Sequence, residues 1–176
     1  NCTKYGPDTV TSTLDPKIFN RKMRSAAVNP LYYNPAVRYF PWLKADGTRF
    51  PSYPGTAARD FPETSGSTVV RNLVTPIDIS RNWCTTSSNC ANETQSVYLA
   101  QYFNKTGVDV NSNDSYTQVL IQAGGSYPKA VARTDCTTAA NACTYDEELQ
   151  NFSNWYSYHR SRIRVAIAGT AEAFYS

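Results

Sequence analysis

The most regular pattern of apolar and polar positions lies at the end of the chain, between Thr144 and Ser176. Its recurring positions are three, four or seven apart, and they are Phe152, Tyr156, Ile163, Ile167, Thr170 and Phe174. Positions at this spacing share one face of a helix. Thr144 and Glu147 match a capping box, and the acidic residues at 146–148 suit the first turn of a helix. The pattern predicts one helix over residues 144–176, about 45 Å long, on which the rest of the chain packs.

Shorter patterns predict brief elements separated by long loops. The helical patterns are residues 14–24 and 93–103, and the strand patterns are residues 69–79, 116–123 and 129–133. Pro16 suits the first position of its helix, whereas Pro76 interrupts its strand. Residues 44–66 are rich in Pro, Gly, Ser and Thr, so they predict a loop with a turn at Asp46-Gly47. The predicted fold class is α+β, with one long C-terminal helix, short strands and long loops pinned by disulfides.

Composition narrows the function classes. The chain has 176 residues, of which 41% are apolar, enough for a domain with its own core. We interpret residues 1–176 as a single domain or a fragment of a larger one, because the chain opens on Asn1 without Met or a signal peptide. The net charge of +3 is too small to indicate nucleic-acid binding. No run of about 18 apolar residues occurs, so no membrane span is predicted.

Candidate catalytic chemistry is sparse. No metalloprotease, nucleophile-elbow, phosphate-loop or dinucleotide motif occurs, so we expect no enzyme activity. His159 is the only histidine and has no second ligand near it in sequence, so we interpret it as an aromatic replacement within the helix. Residues 109–114 resemble the opening of a calcium loop, but Asp114 stands where that loop needs glycine. We therefore expect no cofactor and no bound metal.

Five cysteines occur, and four of them form two close pairs. Cys84 and Cys90 enclose one short polar loop, and Cys136 and Cys143 enclose another. A zinc site needs more ligands than one histidine supplies, so we predict two local disulfides in an exported protein, Cys84–Cys90 and Cys136–Cys143. Cys2 is left over, and its expected partner is a cysteine elsewhere in a parent protein.

Residues 29–42 combine three prolines with five aromatic side chains. The prolines exclude a continuing helix and hold the segment extended. The aromatic residues are Tyr32, Tyr33, Tyr39, Phe40 and Trp42. Either these rings pack across the C-terminal helix, or they form an exposed platform for a sugar or a protein. We favour packing, with Trp155 on the flank of the helix as the docking residue.

Three stretches together resemble one known family. Residues 151–164 read NFSNWYSYHRSRIR, and residues 29–42 read NPLYYNPAVRYFPW. An Arg-x-Asp-Cys at 133–136 and a Cys-Thr-Tyr-x-Glu-Glu at 143–148 lead into the helix. In this combination the chain resembles the PilY/PilC family of type IV pilus tip-associated adhesin and assembly proteins. The resemblance covers both ends of the chain well and the middle poorly.

The resemblance implies a non-enzymatic, extracellular protein at the pilus tip on a bacterial cell surface. The implied roles are adhesion to a host or abiotic surface and pilus assembly with minor pilins. The implied fold is a von Willebrand factor A-like domain, of which this chain supplies the inserted region and the first helix. The remainder of the parent protein is then a partner. Ser153 and His159 depart from the family pattern, which has Ala and Tyr there. The family's metal motif lies upstream of residues 29–42, so the chain alone is expected to hold no metal.

The packing argument and the resemblance together nominate residues with structural or partner-binding roles. They are Tyr32, Tyr33, Trp42, Trp155, Tyr156, Arg160 and Arg162. Arg160 lies four residues after Tyr156, so we expect it to stack on that ring or on residues 32–33. A second hypothesis is a secreted carbohydrate-binding module, because the chain has 13 tyrosines and three tryptophans. A secreted hydrolase is disfavoured by the single histidine and the lack of a motif.

Overall fold

The computed structural model describes the backbone of residues 16–60, 62, 69–84 and 90–175, and side chains for 20–60, 62, 69–78 and 97–175. The helices are α1 (Pro16–Met23), α2 (Tyr145–Tyr158) and α3 (Arg162–Tyr175). The strands are β1 (Ala58–Arg59), β2 (Val70–Arg71), β3 (Ile77–Cys84), β4 (Cys90–Val97), β5 (Gln101–Lys105), β6 (Tyr116–Leu120), β7 (Ser126–Pro128) and β8 (Ala142–Thr144). The fold is therefore mixed α and β, as predicted.

Each described strand pairs with one other strand in an antiparallel sheet of two strands. The pairs are β1–β2, β3–β4, β5–β6 and β7–β8. The longest pair, β3–β4, runs from Ile77 opposite Val97 to Cys84 opposite Cys90. No larger sheet unites these pairs within the described part of the chain, so the centre of the fold lies elsewhere.

Several predicted elements are confirmed. α1 begins at Pro16, and β6 lies within residues 116–123. The predicted strand at 69–79 is divided near Pro76 into β2 and the start of β3. The turn at Gly47 forms with φ +77°, a conformation that glycine adopts without strain. These elements follow from local rules that proline and glycine impose on the backbone.

Two predicted elements are wrong. The residues predicted as a helix at 93–103 lie in β4 and β5 instead. Their helical spacing is weak, and pairing with β3 and β6 decides their conformation. The strand predicted at 129–133 is a turn, because the Arg133 N–H donates to the Ala130 carbonyl at 2.9 Å. The nearby strand is β7, three residues long and paired with β8.

The C-terminal helix is interrupted, so the prediction of one helix over residues 144–176 is also wrong. Its beginning is as predicted, because Thr144 and Glu147 form both hydrogen bonds of a capping box. α2 then ends at Tyr158, whose carbonyl accepts from Trp42 Nε1–H at 2.7 Å. The next residue, His159, has a non-helical φ of −133° and ψ of −7°. A carbonyl group at the helix end thus accepts a hydrogen bond from a side chain that is distant in sequence.

A new helix starts immediately after this break. The Ser161 hydroxyl accepts from the Arg164 N–H at 3.4 Å, and the Ser161 carbonyl accepts from the Val165 N–H at 3.0 Å. The Arg164 guanidinium reaches back to the Tyr156 carbonyl at 3.2 Å. These bonds satisfy backbone groups on both sides of the interruption. The result is two 14-residue helices in place of the one continuous helix that was predicted.

α3 is largely exposed, contrary to the predicted buried apolar face. Arg164 is its buried residue, whereas Ile163 is 74% exposed and Phe174 is 89% exposed. An ion pair of 2.8 Å between Arg49 and Glu172 ties the helix to the loop region. The apolar stripe of the C-terminal sequence is therefore core in α2 and surface in α3.

The core forms around α2. Nine of its 14 residues are buried, and five of those nine are polar: Glu148, Asn151, Ser153, Asn154 and Ser157. Segments 29–42 and 49–60 both contact this helix. Neither segment is extended throughout, because turns form at 29–32, 34–37 and 54–57. The backbone at Gly55 approaches so closely that a Cβ there would come within 2.5 Å of the Leu149 side chain. Polar residues in a buried helix require partners, and the two segments supply them.

The two predicted disulfides have different outcomes. Cys136 and Cys143 are bonded, and both are buried in the main core cluster. Cys84 and Cys90 lie opposite each other at the end of β3–β4, but their side chains are outside the described set. Cys2 lies outside the described residues as well.

We predict that Cys84 and Cys90 form a disulfide. Directly opposite residues of an antiparallel pair have Cβ atoms about 4.5–5.5 Å apart, close to disulfide spacing. Closing so short a loop is expected to stabilise the fold by roughly 2 kcal/mol. Non-reducing peptide mapping should recover the Cys84–Cys90 and Cys136–Cys143 links. A link from Cys84 to Cys136 or Cys143 would contradict the prediction.

Candidate functional site

Side chains of α2 and its C-terminal cap bind the backbone of segment 29–42. Four side chains donate hydrogen bonds of 2.7–3.1 Å to carbonyl groups of this segment: Asn151 to Val37, Asn154 to Tyr39, Trp155 to Leu31 and His159 to Phe40. Asn151 Oδ1 also accepts from the Tyr39 N–H at 2.7 Å. The described residues include no strand that pairs with this segment, so these bonds replace the ladder that a sheet would provide.

A second segment, 49–60, is bound in the same way. Three side chains donate hydrogen bonds of 2.7–3.0 Å to its carbonyl groups: Gln150 and Ser153 to Tyr53, and Tyr158 to Pro51. The Arg59 N–H donates to Ser157 Oγ at 3.0 Å. Most polar side chains of the sequence NFSNWYSY thus form hydrogen bonds to the backbone of these two segments. Each such bond contributes about 1 kcal/mol net.

The aromatic residues of segment 29–42 pack mainly inward. Tyr33 is 0% exposed and Trp42 is 4% exposed. The Trp155 ring lies 4.8 Å from the Tyr32 ring and 5.1 Å from the Phe152 ring, between centroids. The packing geometry expected for Trp155 is therefore present, and it leaves these rings no room to act as a platform.

A buried ion pair joins the loop before α2 to the helix. Arg133 and Glu148 are both 0% exposed, with Nη1 2.6 Å from Oε2. Glu148 also accepts from the Tyr33 hydroxyl at 2.8 Å, and Arg133 binds Asp135 and the Pro35 carbonyl. Burial raises the pKa of Glu148, although Arg133 and Tyr33 act to lower it. Because this network is internally satisfied, its role is to hold segment 29–42 on α2.

Asp60 is the centre of a second cluster. Its carboxylate accepts from Tyr156 at 2.8 Å and pairs with Arg160 at 2.8 Å and Arg71 at 2.7 Å. Its backbone carbonyl accepts from Arg164. Burial acts to raise the pKa of Asp60, but hydrogen bonds from Tyr156, Arg160 and Arg71 outweigh it and lower the pKa. The Arg160 guanidinium lies 4.1 Å from the Tyr156 ring centroid, in the stacked position expected for it.

Phe40 is the exposed aromatic residue of segment 29–42, and it lines a cleft beside α2. The cleft has a volume of about 580 Å³, within the range of ligand-binding clefts. Phe40 is 38% exposed and lies between two guanidinium groups, 4.3 Å from Arg38 and 4.6 Å from Arg49. Asp146 and Gln150 also line the cleft. Arginine and aromatic side chains in one accessible cleft are typical of protein-recognition sites.

The nominated residues fall into three places. Tyr32, Tyr33, Trp42 and Trp155 lie in the packed aromatic region, Tyr156 and Arg160 lie at Asp60, and Arg162 is exposed at the start of α3. The sequence reasoning missed Asp60, which carries no motif, and it missed the Phe40 cleft. Arg38 and Arg49 flank Phe40 only because the chain turns between them.

The described residues offer neither a metal-binding cluster nor a membrane-spanning helix. No group of three His, Cys, Asp or Glu side chains there is positioned to hold a metal ion. Residues 109–114 form turns, in which Asp109 Oδ1 accepts from the Asn111 N–H at 2.8 Å. No helix in this part of the chain has both the length and the apolar character needed to cross a membrane.

We predict that Trp155→Ala destabilises the protein severely. The substitution removes a buried ring and its hydrogen bond to the Leu31 carbonyl, so it should cost roughly 3–5 kcal/mol. Chemical denaturation followed by circular dichroism would measure this loss. The control is Tyr98→Ala, because Tyr98 is 40% exposed. A Trp155→Ala protein with wild-type stability and lost adhesion would contradict the structural role.

His159 gives a prediction for pH dependence. Burial lowers its pKa, although its hydrogen bond to the Phe40 carbonyl acts to raise it. The unfolded state, with a pKa near about 6.5, then binds the proton more readily, so stability is full above that value and falls as pH decreases. His159→Gln keeps a donor without this titration and should flatten the decline between pH of about 7.5 and about 5.5. Thermal unfolding across this range is the measurement, and an unchanged slope in the variant would contradict it.

Comparison with known proteins leaves the family open. No family model matches the chain, and no curated protein and no solved structure is detectably similar to it. The resemblance to the PilY/PilC family is therefore carried by residues 29–42, 133–148 and 151–162 themselves. Function has to be argued from those residues and from the surfaces that the fold leaves accessible.

Proposed function

We propose that this chain is a non-enzymatic part of a type IV pilus tip protein of the PilY/PilC type. It serves adhesion and pilus biogenesis through contacts with other proteins, on the surface of a bacterium. The observation that supports this most directly is the packing of the resembling stretches on one another. Residues 29–42 and 151–162 share the buried hydrogen bonds of Asn151, Asn154 and Trp155. Two stretches that resemble one family thus act as one structural unit.

The non-enzymatic character of the proposal follows from how the polar groups are used. Glu148 and Arg133 pair with each other, and Asp60 is held by arginines. His159 binds a backbone carbonyl. These buried groups are committed to internal bonds, and two carboxylates that line the Phe40 cleft are bonded internally as well, Asp135 to Arg133 and Glu147 to the backbone at 137, 138 and 144. Recognition is therefore favoured over catalysis.

Two surfaces supply the contacts in this proposal. The Phe40 cleft, with Arg38 and Arg49 on either side of the ring, takes a minor pilin or the adhesion target. The exposed stripe of α3, which includes Ile163 and Phe174, packs on the remainder of the parent protein. A solvent-exposed row of large apolar residues on a helix is typical of an interface.

The proposal also assigns the chain to a von Willebrand factor A-like domain. In that arrangement α2 and α3 belong to the A-like framework, and the preceding residues are an insertion. The described strands form separate two-stranded pairs, which suits an insertion that has no central sheet of its own. The parent protein would supply that sheet.

The experiment replaces Phe40 in the gene that encodes this chain, in its own bacterium. Phe40→Ala removes the exposed ring but leaves the backbone bond to His159, so the protein should remain folded and exported. We predict a loss of surface pili or adhesion of about tenfold, as for a central contact residue. Piliation is counted by electron microscopy, adhesion by cell binding, and export by immunoblotting.

Val131→Ala is the matched control, because Val131 is 100% exposed and lies outside the cleft. It should leave piliation and adhesion at wild-type values. Normal piliation together with normal adhesion in Phe40→Ala would contradict the role of the cleft. The carbohydrate-binding hypothesis retains one supporting observation, since Phe40 lines the same cleft as the polar residues Asp146 and Gln150. Glycan-array binding by the wild type that Phe40→Ala abolishes would favour that hypothesis instead.

A further inference from the structure

A short turn formed by residues 42–50 lies between α3 and the Phe40 cleft. Backbone hydrogen bonds and an antiparallel bridge close this turn. On one side it contacts the end of α3, because a Cβ atom added at Gly47 would overlap the Tyr175 ring. On the other side Arg49 lines the cleft. The 42–50 turn therefore connects the helix to the cleft.

Arg49 is the side chain that joins the turn, α3 and the cleft. Its Nη1 lies 2.8 Å from Glu172 Oε1 and donates to the Pro41 carbonyl at 2.8 Å. The same guanidinium lies 4.6 Å from the centroid of the Phe40 ring. The Arg49 side chain is 33% exposed and the Glu172 side chain is 51% exposed, and ion pairs so accessible to water break readily. Glu172 of α3 thus helps to position Arg49 on the Phe40 ring through a contact that can open.

α3 contacts the protein with its less apolar side. Each residue of a helix is turned by about 100° from the one before it, so residues three or four apart share a face. The exposed stripe includes Ile163, Ile167 and Phe174, whereas the contacting side lies next to it around the helix. That side carries Arg164, Ala168, Ala171, Glu172 and Tyr175. A partner that covers the stripe is offered larger apolar side chains than the turn is, so it can draw the C-terminal half of α3 away.

We propose that the Arg49–Glu172 ion pair is a latch that couples the position of α3 to the Phe40 cleft. While the latch is closed, Glu172 holds Arg49 against the Phe40 ring and the Pro41 carbonyl. When a partner draws α3 away from the 42–50 turn, Arg49 loses its acidic partner and moves on the ring, so Phe40 becomes more accessible in the cleft. The latch rests on the proposed function only for the identity of that partner, which is the remainder of the parent protein.

Such a coupling acts in both directions. Two sites that bias the same element change each other's equilibrium by the same free energy. Here the element is Arg49, which is either paired with Glu172 or released from it. Removing Glu172 should therefore change the surroundings of Phe40, and removing the Phe40 ring should loosen α3.

The first test is Glu172→Ala in the full chain, with one fluorine placed on the Phe40 ring by incorporation of 4-fluorophenylalanine at that position. We expect the fluorine resonance to move, and its shift between light and heavy water to grow, as the ring becomes more accessible. Amide hydrogen exchange at residues 168–175 should become about twofold to fivefold faster, as expected when an exposed ion pair is lost. Alanine favours helix more than glutamate does, and it removes a negative charge near the helix C-terminus. An effect confined to the helix would therefore slow this exchange.

Asp114→Asn is the matched control, because it also removes one negative charge and Asp114 is exposed. It should leave the fluorine resonance and the exchange of α3 at wild-type values. The reciprocal test is Phe40→Ala, which should speed exchange at residues 168–175, whereas Val131→Ala should not. An unchanged fluorine resonance in Glu172→Ala, or unchanged or slower exchange of α3 in either Glu172→Ala or Phe40→Ala, would overturn the latch. Neither measurement involves pili or adhesion, so failure of the latch and failure of the proposed function are observed separately.

Discussion

The structure depends on how the chain satisfies backbone groups that no sheet pairs. Segments 29–42 and 49–60 are rich in proline and irregular, and apart from β1 at the end of the second segment they do not join the described sheets. Their buried N–H and carbonyl groups would each cost about 1–3 kcal/mol if they were left without partners. α2 supplies those partners from its own side chains, and the two segments in turn enclose it. The helix and the segments are therefore stable only together.

This constraint explains the unusual composition of α2. A helix buried on most sides is normally apolar, yet this one carries asparagine and serine at buried positions. Each of these residues binds the backbone of a loop, while Phe152 and Trp155 provide the apolar contacts between the bonds. The polar positions in the sequence that resembles the PilY/PilC family are thus explained by packing. Partner contacts are therefore expected on the accessible surfaces of the protein and not within the motif.

Two accessible features within the described part of the chain differ in chemistry. The Phe40 cleft combines an exposed ring with two guanidinium groups, and the exposed stripe of α3 is apolar. The side chains of both surfaces lie outside the hydrogen bonds that Asn151, Asn154 and Trp155 make to segment 29–42. Substitutions on these surfaces can therefore change binding while the core stays intact.

Local rules in the sequence determined the features that neighbouring residues decide by themselves. Pro16 fixed the start of α1, Thr144 and Glu147 fixed the start of α2, and the short spacing of Cys136 and Cys143 favoured their disulfide. The tertiary structure decided the rest, because the deciding partner lies far away in sequence. Trp42 ends α2 by binding the Tyr158 carbonyl, a contact across 116 positions. Strand pairing turned a weak helical pattern into β4 and β5. Asp60 binds three arginines that come from other parts of the chain, and no local pattern around position 60 predicts these contacts.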